Sequence, residues 1–173
     1  HDSVERYTAL GVEVLQGHAR IVNPWTVEVT TADGARQRLT TRSIVIAAGS
    51  RPVVPALPGL DDVGYLTSDT LWEEFARLEA APRRLLVLGG GPIGCELAQS
   101  FQRLGVQVTQ VEMASRLMLR EDEEVSRLVC QALEQDGVQV LTQHKALRFE
   151  KNGDTKVAVL EQDGTQVHIE FDA

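Results

Sequence analysis

Short alternating runs of apolar and polar residues dominate the first third of this chain. Residues 11–19 alternate in this way, which predicts a half-buried strand, and similar runs at 25–30 and 35–40 flank Asp33-Gly34 and predict an antiparallel hairpin. Residues 43–49 are instead a continuous apolar run ending in glycine, which is typical of a strand buried on both faces of a parallel sheet.

The remainder of the chain changes to a strand and helix order. Three prolines between residues 51 and 59 predict a stiff, extended crossover. The next pattern predicts a helix through Leu71 to Leu78 that is capped by Thr67-Ser68-Asp69 and ends before Pro82. The further elements are predicted as a strand at 85–88, a helix from 95, a strand at 106–111, a helix starting at the acids 121–124 and ended by Gly137, a strand at 138–141, and three strands divided by Asn152-Gly153 and Asp163-Gly164.

The most informative motif is the G-x-G-x-x-G turn between the strand at 85–88 and the helix that follows. Gly89 allows the tight turn, Gly91 lets the backbone approach a pyrophosphate, and Gly94 lets helix and strand pack closely. The helix then presents free N–H groups and the positive end of its dipole. With an acid, Glu112, at the expected distance of about 20 residues, the motif predicts a dinucleotide site, the alternative being a purely structural turn.

Three charged residues extend this prediction. The Glu112 carboxylate can accept hydrogen bonds from both ribose hydroxyls of NAD and would repel the 2′-phosphate of NADP, so NAD is favoured. Arg116, with Arg120 nearby, is interpreted either as a phosphate partner or as a solvated loop residue. Glu96 is placed on the first turn of the helix, where it either complements the dipole or lies beside a nicotinamide or flavin ring.

Composition excludes several classes of function. A formal charge of -8 and a pI near 5.0 argue against nucleic acid and anionic membrane partners. No apolar stretch is long enough to span a membrane, so we expect a cytoplasmic protein. Cys95 and Cys130 are predicted to be buried small hydrophobic residues. The histidines do not group with acids or cysteines, so no metal site is expected, and no serine has the surroundings of a hydrolase nucleophile.

The chain also contains an internal repeat. Residues 11–15 and 137–141 share one pattern, and a histidine follows each, His18 and His144. The second copy is preceded by the glycine turn, whereas the first continues into the apolar run at 43–49. We therefore expect two partial copies of one unit: the rear part of an FAD-binding domain at 1–52, a crossover linker and helix at 53–83, and an NAD(P)-binding domain at 84–173 that lacks its last strand.

Four motifs in this order resemble the pyridine nucleotide-disulfide oxidoreductases: Gly17-His18-Ala19, the run at 44–52, the turn from Gly89 to Glu96, and Gln110-Val111-Glu112. Residues 2–7 and 66–72 are most similar to mercuric reductase-like members, followed by dihydrolipoyl dehydrogenase-like ones. The resemblance implies an α/β fold. It consists of a Rossmann-like NAD(P)-binding domain, with a parallel sheet and a β-meander, beside a partial FAD-binding domain of the same architecture.

The resemblance also implies a homodimeric flavoprotein in which NAD(P)H reduces FAD, and FAD reduces a cysteine pair that passes electrons to a small-molecule substrate, mercuric ion or a disulfide such as lipoamide. Glu96 would lie beside the flavin and nicotinamide as the catalytic residue. The cofactor-binding residues implied are His18, Ala19, Ala48 and Gly49 for FAD, and Gly89, Gly91, Pro92, Ile93, Gly94, Glu112, Arg116 and Ala146 for the nicotinamide nucleotide.

Several parts of the family pattern are missing from this sequence. It has no second glycine fingerprint for FAD, no C-x-x-x-x-C and no dimerisation domain, and Ala48 stands where threonine is common. We therefore expect a piece that is inactive alone, from a parent enzyme. The alternative is a non-catalytic dinucleotide-binding or redox-sensing module. This alternative is disfavoured because a sensor needs one nucleotide site, whereas the chain shows parts of two. A simple NAD dehydrogenase ranks last because the sequence contains no candidate for a base acting on a substrate.

Overall fold

The computed structural model describes residues 3–78 and 80–173. It divides into two compact units, His1–Ser50 and Arg51–Ala173. Within the described residues, the strands form three sheets of three strands each, one in the first unit and two in the second. None of the described helices is long and apolar enough to cross a membrane.

The first unit contains a short helix and an antiparallel sheet. Helix α1 (Val4–Ala9) follows Ser3, whose side chain accepts a hydrogen bond from the Arg6 amide. The sheet has the order β1-β2-β3, with strands His18–Asn23, Thr26–Thr30 and Arg36–Thr40. The hairpin predicted around Asp33-Gly34 is therefore confirmed.

A buried carboxylate ties these three strands together. Glu28 of β2 is ion-paired with Arg20 of β1 at 3.2 Å and with Arg38 of β3 at 2.9 Å. The hydrogen bond from Arg38, supported by Arg20, lowers the pKa of Glu28. Cross-strand charge pairing of this kind stabilises the register of a small sheet.

Two strand predictions in this unit are wrong. Residues 11–17 lie outside any strand, since β1 begins at His18 where the ladder with β2 begins. Residues 43–49 also form no strand, and Val45 and Ile46 are 88% and 75% exposed. A parallel strand exists through hydrogen bonds to a neighbouring strand, and within the described residues none pairs with either segment.

The second unit contains the predicted parallel sheet. Its order is β4-β5-β6, with strands Arg84–Leu88, Gln107–Val111 and Gln139–Leu141, all parallel. Helix α4 (Pro92–Arg103) connects β4 to β5, and helix α5 (Glu123–Gln135) connects β5 to β6. Their apolar faces enclose one core with the sheet, whose buried members include Ala98, Val108, Leu117 and Leu133.

An antiparallel meander completes the second unit, as predicted. It consists of β7 (Lys145–Asn152), β8 (Thr155–Gln162) and β9 (Thr165–Phe171). Phe149 and Phe171 meet edge to face with ring centroids 5.9 Å apart, within a second core. Beyond β9, the Leu86 amide donates to the Ala173 carbonyl at 2.9 Å, so the chain returns to the side of β4.

The crossover contains one helix that the sequence predicted and one that it did not. Helix α3 (Leu71–Ala76) is the predicted one, but Thr70 rather than Thr67-Ser68-Asp69 is its N-cap, and no side chain caps it. The unpredicted helix α2 (Leu60–Val63) follows Gly59. A Cβ on Gly59 would lie 2.0 Å from the Phe149 carbonyl oxygen, so this contact with β7 requires glycine.

Candidate dinucleotide-binding site

The glycine turn lies at the carboxyl end of β4, as expected for a ligand site on a parallel sheet. Gly89 has φ +109°, a conformation that favours glycine, and its amide donates to the Val111 carbonyl at 2.8 Å. The turn is therefore held against β5 before α4 begins.

The other two glycines of the motif have different surroundings. A Cβ on Gly94 would lie 2.4 Å from the Gly89 carbonyl oxygen, so helix and turn approach more closely than any side chain allows. A Cβ on Gly91 would meet no atom within 4 Å. Gly94 is thus required by packing, whereas Gly91 faces open space at the start of α4.

The start of α4 is suited to an anion. Gly91 is the N-cap without any side-chain cap, and Pro92 occupies the first turn, where its missing N–H costs nothing and its φ is already helical. Gly91, Pro92 and Ile93 are exposed. The free N–H groups of this first turn therefore have no competing side-chain acceptor from the cap position.

Glu96 lies one turn further along α4 than the sequence suggested. The first turn of α4 contains no acid, and Glu96 is exposed beyond it. The expectation that Glu96 lies in the first turn is wrong, because the helix begins at Pro92. Since the dipole effect falls off within the first turn, dipole complementation explains Glu96 poorly.

The carboxylate of Glu112 contacts the glycine turn directly. Its Oε2 accepts a hydrogen bond from the Gly90 amide at 2.7 Å, and its Oε1 accepts one from the Ala114 amide at 2.7 Å. Each carboxylate oxygen can accept a further bond. The acid that follows β5 is thus oriented by backbone donors while it keeps acceptor capacity for a ligand.

Arg116 holds the loop beside the turn. Its guanidinium donates to the carbonyl oxygens of Met118, Leu119 and Glu121 at 3.2, 3.1 and 3.0 Å. The Met118 amide in turn donates to the Gly90 carbonyl at 2.7 Å. Arg116 is half-buried in this arrangement, and both terminal nitrogens of its guanidinium are bonded to loop carbonyls.

A polar residue that sequence reasoning passed over lies beneath the turn. Gln110 of β5 is fully buried, and its Nε2 lies 3.0 Å from the Gly89 carbonyl oxygen and 3.5 Å from Cys95 Sγ. Its Oε1 has no hydrogen-bond partner within the described residues. The available signal was a glutamine at the third position of the buried alternation Val106, Val108, Gln110.

The two cysteines are free thiols in the core of this unit. Cys95 is buried, as predicted, and burial is the main cause that raises its pKa. Cys130 is half-buried, less than expected, and burial likewise raises its pKa. Both side chains therefore stay protonated at neutral pH and are poor nucleophiles.

The segment before β7 borders the same end of the sheet. The His144 amide donates to the Glu112 carbonyl at 3.1 Å, and the Gln143 amide donates to the Ala114 carbonyl at 2.9 Å. Ala146, two residues further, is half-buried against the second core. Ala146, the residue expected to contact the adenine, is therefore the second residue of β7 and directly follows the segment that adjoins Glu112.

The residues implied for FAD belong to the first unit. His18 and Ala19 are the first residues of β1, and both are exposed. Ala48 and Gly49 are exposed residues of the irregular segment at 43–49. The described part of the first unit does not form the strand at whose end Ala48 and Gly49 were expected to line the FAD.

A glycine turn between a parallel strand and a helix, with an acid after the next strand, defines the dinucleotide-binding class of α/β proteins. The model of the pyridine nucleotide-disulphide oxidoreductase family matches residues 2–173. The chain belongs to this family.

Two named relatives and one solved structure agree with this family assignment. The chain is 37% identical to a mercuric reductase of Bacillus cereus over 96% of its own length and 26% of the relative's. It is 40% identical to a dihydrolipoyl dehydrogenase of Pseudomonas aeruginosa over 83% and 30%. The solved HOCl-induced flavoprotein disulfide reductase RclA of Escherichia coli superposes with a TM-score of 0.60 and 26% identity, over 93% and 34%. The chain thus spans 26% to 34% of the length of these relatives.

Proposed function

We propose that this chain supplies the nicotinamide-nucleotide site of a flavoprotein oxidoreductase. In the parent protein, electrons pass from NAD(P)H through FAD to a redox disulfide and then to a small-molecule substrate. The relatives suggest mercuric ion or a disulfide such as lipoamide as that substrate. The homodimeric state is proposed on the same family grounds.

The contact between Glu112 and the glycine turn carries the proposal. The 2.7 Å bond from the Gly90 amide to Glu112 Oε2 brings the phosphate-binding turn and the ribose-binding acid side by side. These two elements are the recognition groups that an adenosine diphosphate moiety needs. A turn that only connected β4 to α4 would not require the acid of the next strand to be held against it.

Preference for NAD over NADP follows from the same geometry. The remaining acceptor sites of Glu112 suit two ribose hydroxyls, and its negative charge repels a 2′-phosphate. Arg116, the cation nearest in sequence, has its donors directed to three loop carbonyls. A competing phosphate would have to displace these bonds.

The position of Glu96 suits its proposed role beside the nicotinamide better than the positions of the four FAD residues suit flavin binding. Glu96 is exposed on α4 one turn beyond Gly91, where its carboxylate can approach the nicotinamide end of a nucleotide lying along the helix start. The FAD residues of the first unit are exposed on an irregular segment and on a strand end. Their role in FAD binding is therefore proposed for the parent protein.

Nucleotide titration of the chain tests the site. We expect Glu112→Ala to weaken NADH binding about tenfold, since hydrogen bonds to a charged group are lost, and NADPH binding by less than about twofold. Isothermal calorimetry measures both. Glu121→Ala, which removes the same charge from an exposed position in the Arg116 loop, is the matched control and leaves both affinities unchanged.

The outcomes separate the parts of the proposal. Equal losses for NADH and NADPH in Glu112→Ala would contradict the NAD preference alone. Failure of the unmodified chain to bind either nucleotide would contradict the function itself. For the parent protein, a visible flavin spectrum bleached by NADH supports the enzyme, and a colourless parent supports a non-catalytic binding module.

A further inference from the structure

We propose that Gln110 is a positioning residue for the diphosphate of the bound nucleotide. The inference rests on the proposed function of the glycine turn. Gln110 touches no ligand position itself; it acts through the peptide groups of Gly89 and Gly90.

Gln110 fixes the direction of the peptide group between Gly89 and Gly90. The Gln110 Nε2 group donates to the Gly89 carbonyl at 3.0 Å from beneath the turn. In a planar trans peptide the carbonyl and the following N–H point in opposite directions. Drawing the Gly89 carbonyl inward therefore turns the Gly90 N–H outward, toward the side where Glu112 Oε2 accepts it.

The next peptide is coupled to Gln110 through Cys95, whose Sγ lies 3.5 Å from the Gln110 Nε2 group. The Gly90 carbonyl accepts from the Met118 amide at 2.7 Å and lies 3.6 Å from the Cys95 thiol sulfur. Both contacts restrain the carbonyl and thereby the direction of the Gly91 N–H on its opposite side. Gly91 is where the structure leaves open space, so a diphosphate can approach this N–H.

The glycine turn and the start of α4 are packed around the Gln110 side-chain amide. A Cβ on Gly94 would lie 2.4 Å from the Gly89 carbonyl oxygen and 3.2 Å from Gln110 Nε2. The missing side chain of Gly94 therefore makes room for both partners of the hydrogen bond. The third glycine of the motif and Gln110 form one structural unit.

The amide oxygen of the same side chain is buried without compensation. Gln110 is fully buried, yet its Oε1 has no partner within the described residues. Burying an unpaired amide oxygen is destabilising, and an apolar side chain would fill this core position without that penalty. Packing alone does not account for a glutamine here, whereas control of the turn does.

The test replaces the amide by an apolar side chain of similar size. In Gln110→Met the donor to Gly89 and the unpaired oxygen are both removed, so we expect the melting temperature to stay the same or rise. Titrations followed by 15N-HSQC spectra then compare ADP, which has a diphosphate, with adenosine, which has none. We expect ADP to bind about fivefold more weakly and adenosine within about twofold of the unmodified chain.

Val108→Ala is the matched control. Val108 is buried two residues earlier on the same face of β5 and is not among the atoms around the turn. This variant should lower the melting temperature while the ratio of ADP to adenosine affinity stays unchanged. A general loss of core packing is thereby separated from a loss of turn geometry.

Two results would overturn the inference. One is a Gln110→Met chain that binds ADP as tightly as the unmodified chain; the other is an equal loss for ADP and adenosine. If the unmodified chain binds no ADP, the proposed function fails first, and that outcome is visible before any variant is compared.

Discussion

Residues 11–15 and 137–141 carry nearly the same pattern, Gly-Val-Glu-Val-Leu and Gly-Val-Gln-Val-Leu, yet only the second segment contains a strand. In the second copy, the Leu141 carbonyl accepts from the Glu112 amide at 2.8 Å, and β6 runs parallel to β5. In the first copy, the Val12 amide bonds back to the Tyr7 carbonyl at 3.0 Å, and no strand pairs with it within the described residues.

The sheets that follow the two segments behave alike. His18 begins β1 and His144 directly precedes β7, and each leads into three antiparallel strands. An antiparallel partner is delivered by a short turn in the neighbouring sequence, whereas a parallel partner arrives from a distant part of the chain. The antiparallel strands therefore form after both copies of the repeat. The parallel strand forms only in the second copy, where β5 is its partner.

The largest expected effect comes from proline at the matched leucines. Leu141 bonds to β5 through its carbonyl, and its N–H points to the same side, so Leu141→Pro removes a ladder donor. We expect a loss of about 3 kcal/mol in the free energy of unfolding. Leu15→Pro, in the first copy, should cost less than about 1 kcal/mol. Urea unfolding of both variants gives the comparison, and equal losses would show that residues 11–15 form a ladder after all.

A smaller effect is expected at the glycine turn, which precedes only the second copy. Gly94→Ala places a Cβ 2.4 Å from the Gly89 carbonyl, which should cost about 2 kcal/mol. Gly91→Ala meets no atom within 4 Å and should change stability by no more than about 0.5 kcal/mol. Thermal unfolding of the pair measures this difference. Similar melting temperatures would mean that helix α4 does not need the close approach.

The smallest effect concerns the ends of the two antiparallel sheets. After β9, Asp172 accepts from both the amide and the guanidinium of Arg84 on β4, at 2.9 and 2.8 Å. After β3, residues 43–49 form no strand. The hydrogen bond from the Arg84 side chain is the main cause that lowers the pKa of Asp172.

A pKa lowered in the folded state means stability that is present above the ordinary carboxyl range and lost as the pH falls through the folded-state pKa. We therefore expect Asp172→Asn to cost roughly 0.5 to 1 kcal/mol at neutral pH, a modest value because the pair is partly exposed. The cost should vanish in strong acid. Asp154→Asn, in the exposed turn between β7 and β8, is the control. A difference that persists unchanged in acid would contradict the assignment to this carboxylate.

The predictable parts of the fold share one property, which is that their signals are local. Glycine-containing turns at 33–34, 152–153 and 163–164 predicted their hairpins, and the acids at 121–124 predicted the start of α5. The prediction of a strand at 43–49 was wrong because an apolar run indicates burial but does not identify the neighbouring strand with which it would pair. Helix α2 was missed because it is one short turn made possible by the contact between Gly59 and Phe149.

The candidate site divides in the same manner. The glycine motif and Glu112 were recognised from spacing, because backbone approach and ribose binding need those residue types at those positions. Gln110 and the loop contacts of Arg116 were not recognised, because their partners are carbonyl groups that every residue possesses. Which carbonyl a buried donor meets depends on how β5, the turn and the Arg116 loop pack.

The amino-acid sequence by itself determined the order of elements from β4 to β9, the hairpin between β2 and β3, the two hairpins of the meander and the dinucleotide motif, since each depends on residues close together in the chain. Tertiary structure alone decided which of two similar segments became a strand, and which donors hold the glycine turn from beneath. The physical reason is that hydrogen bonds across a parallel sheet and within a core join residues whose distance in sequence carries no pattern.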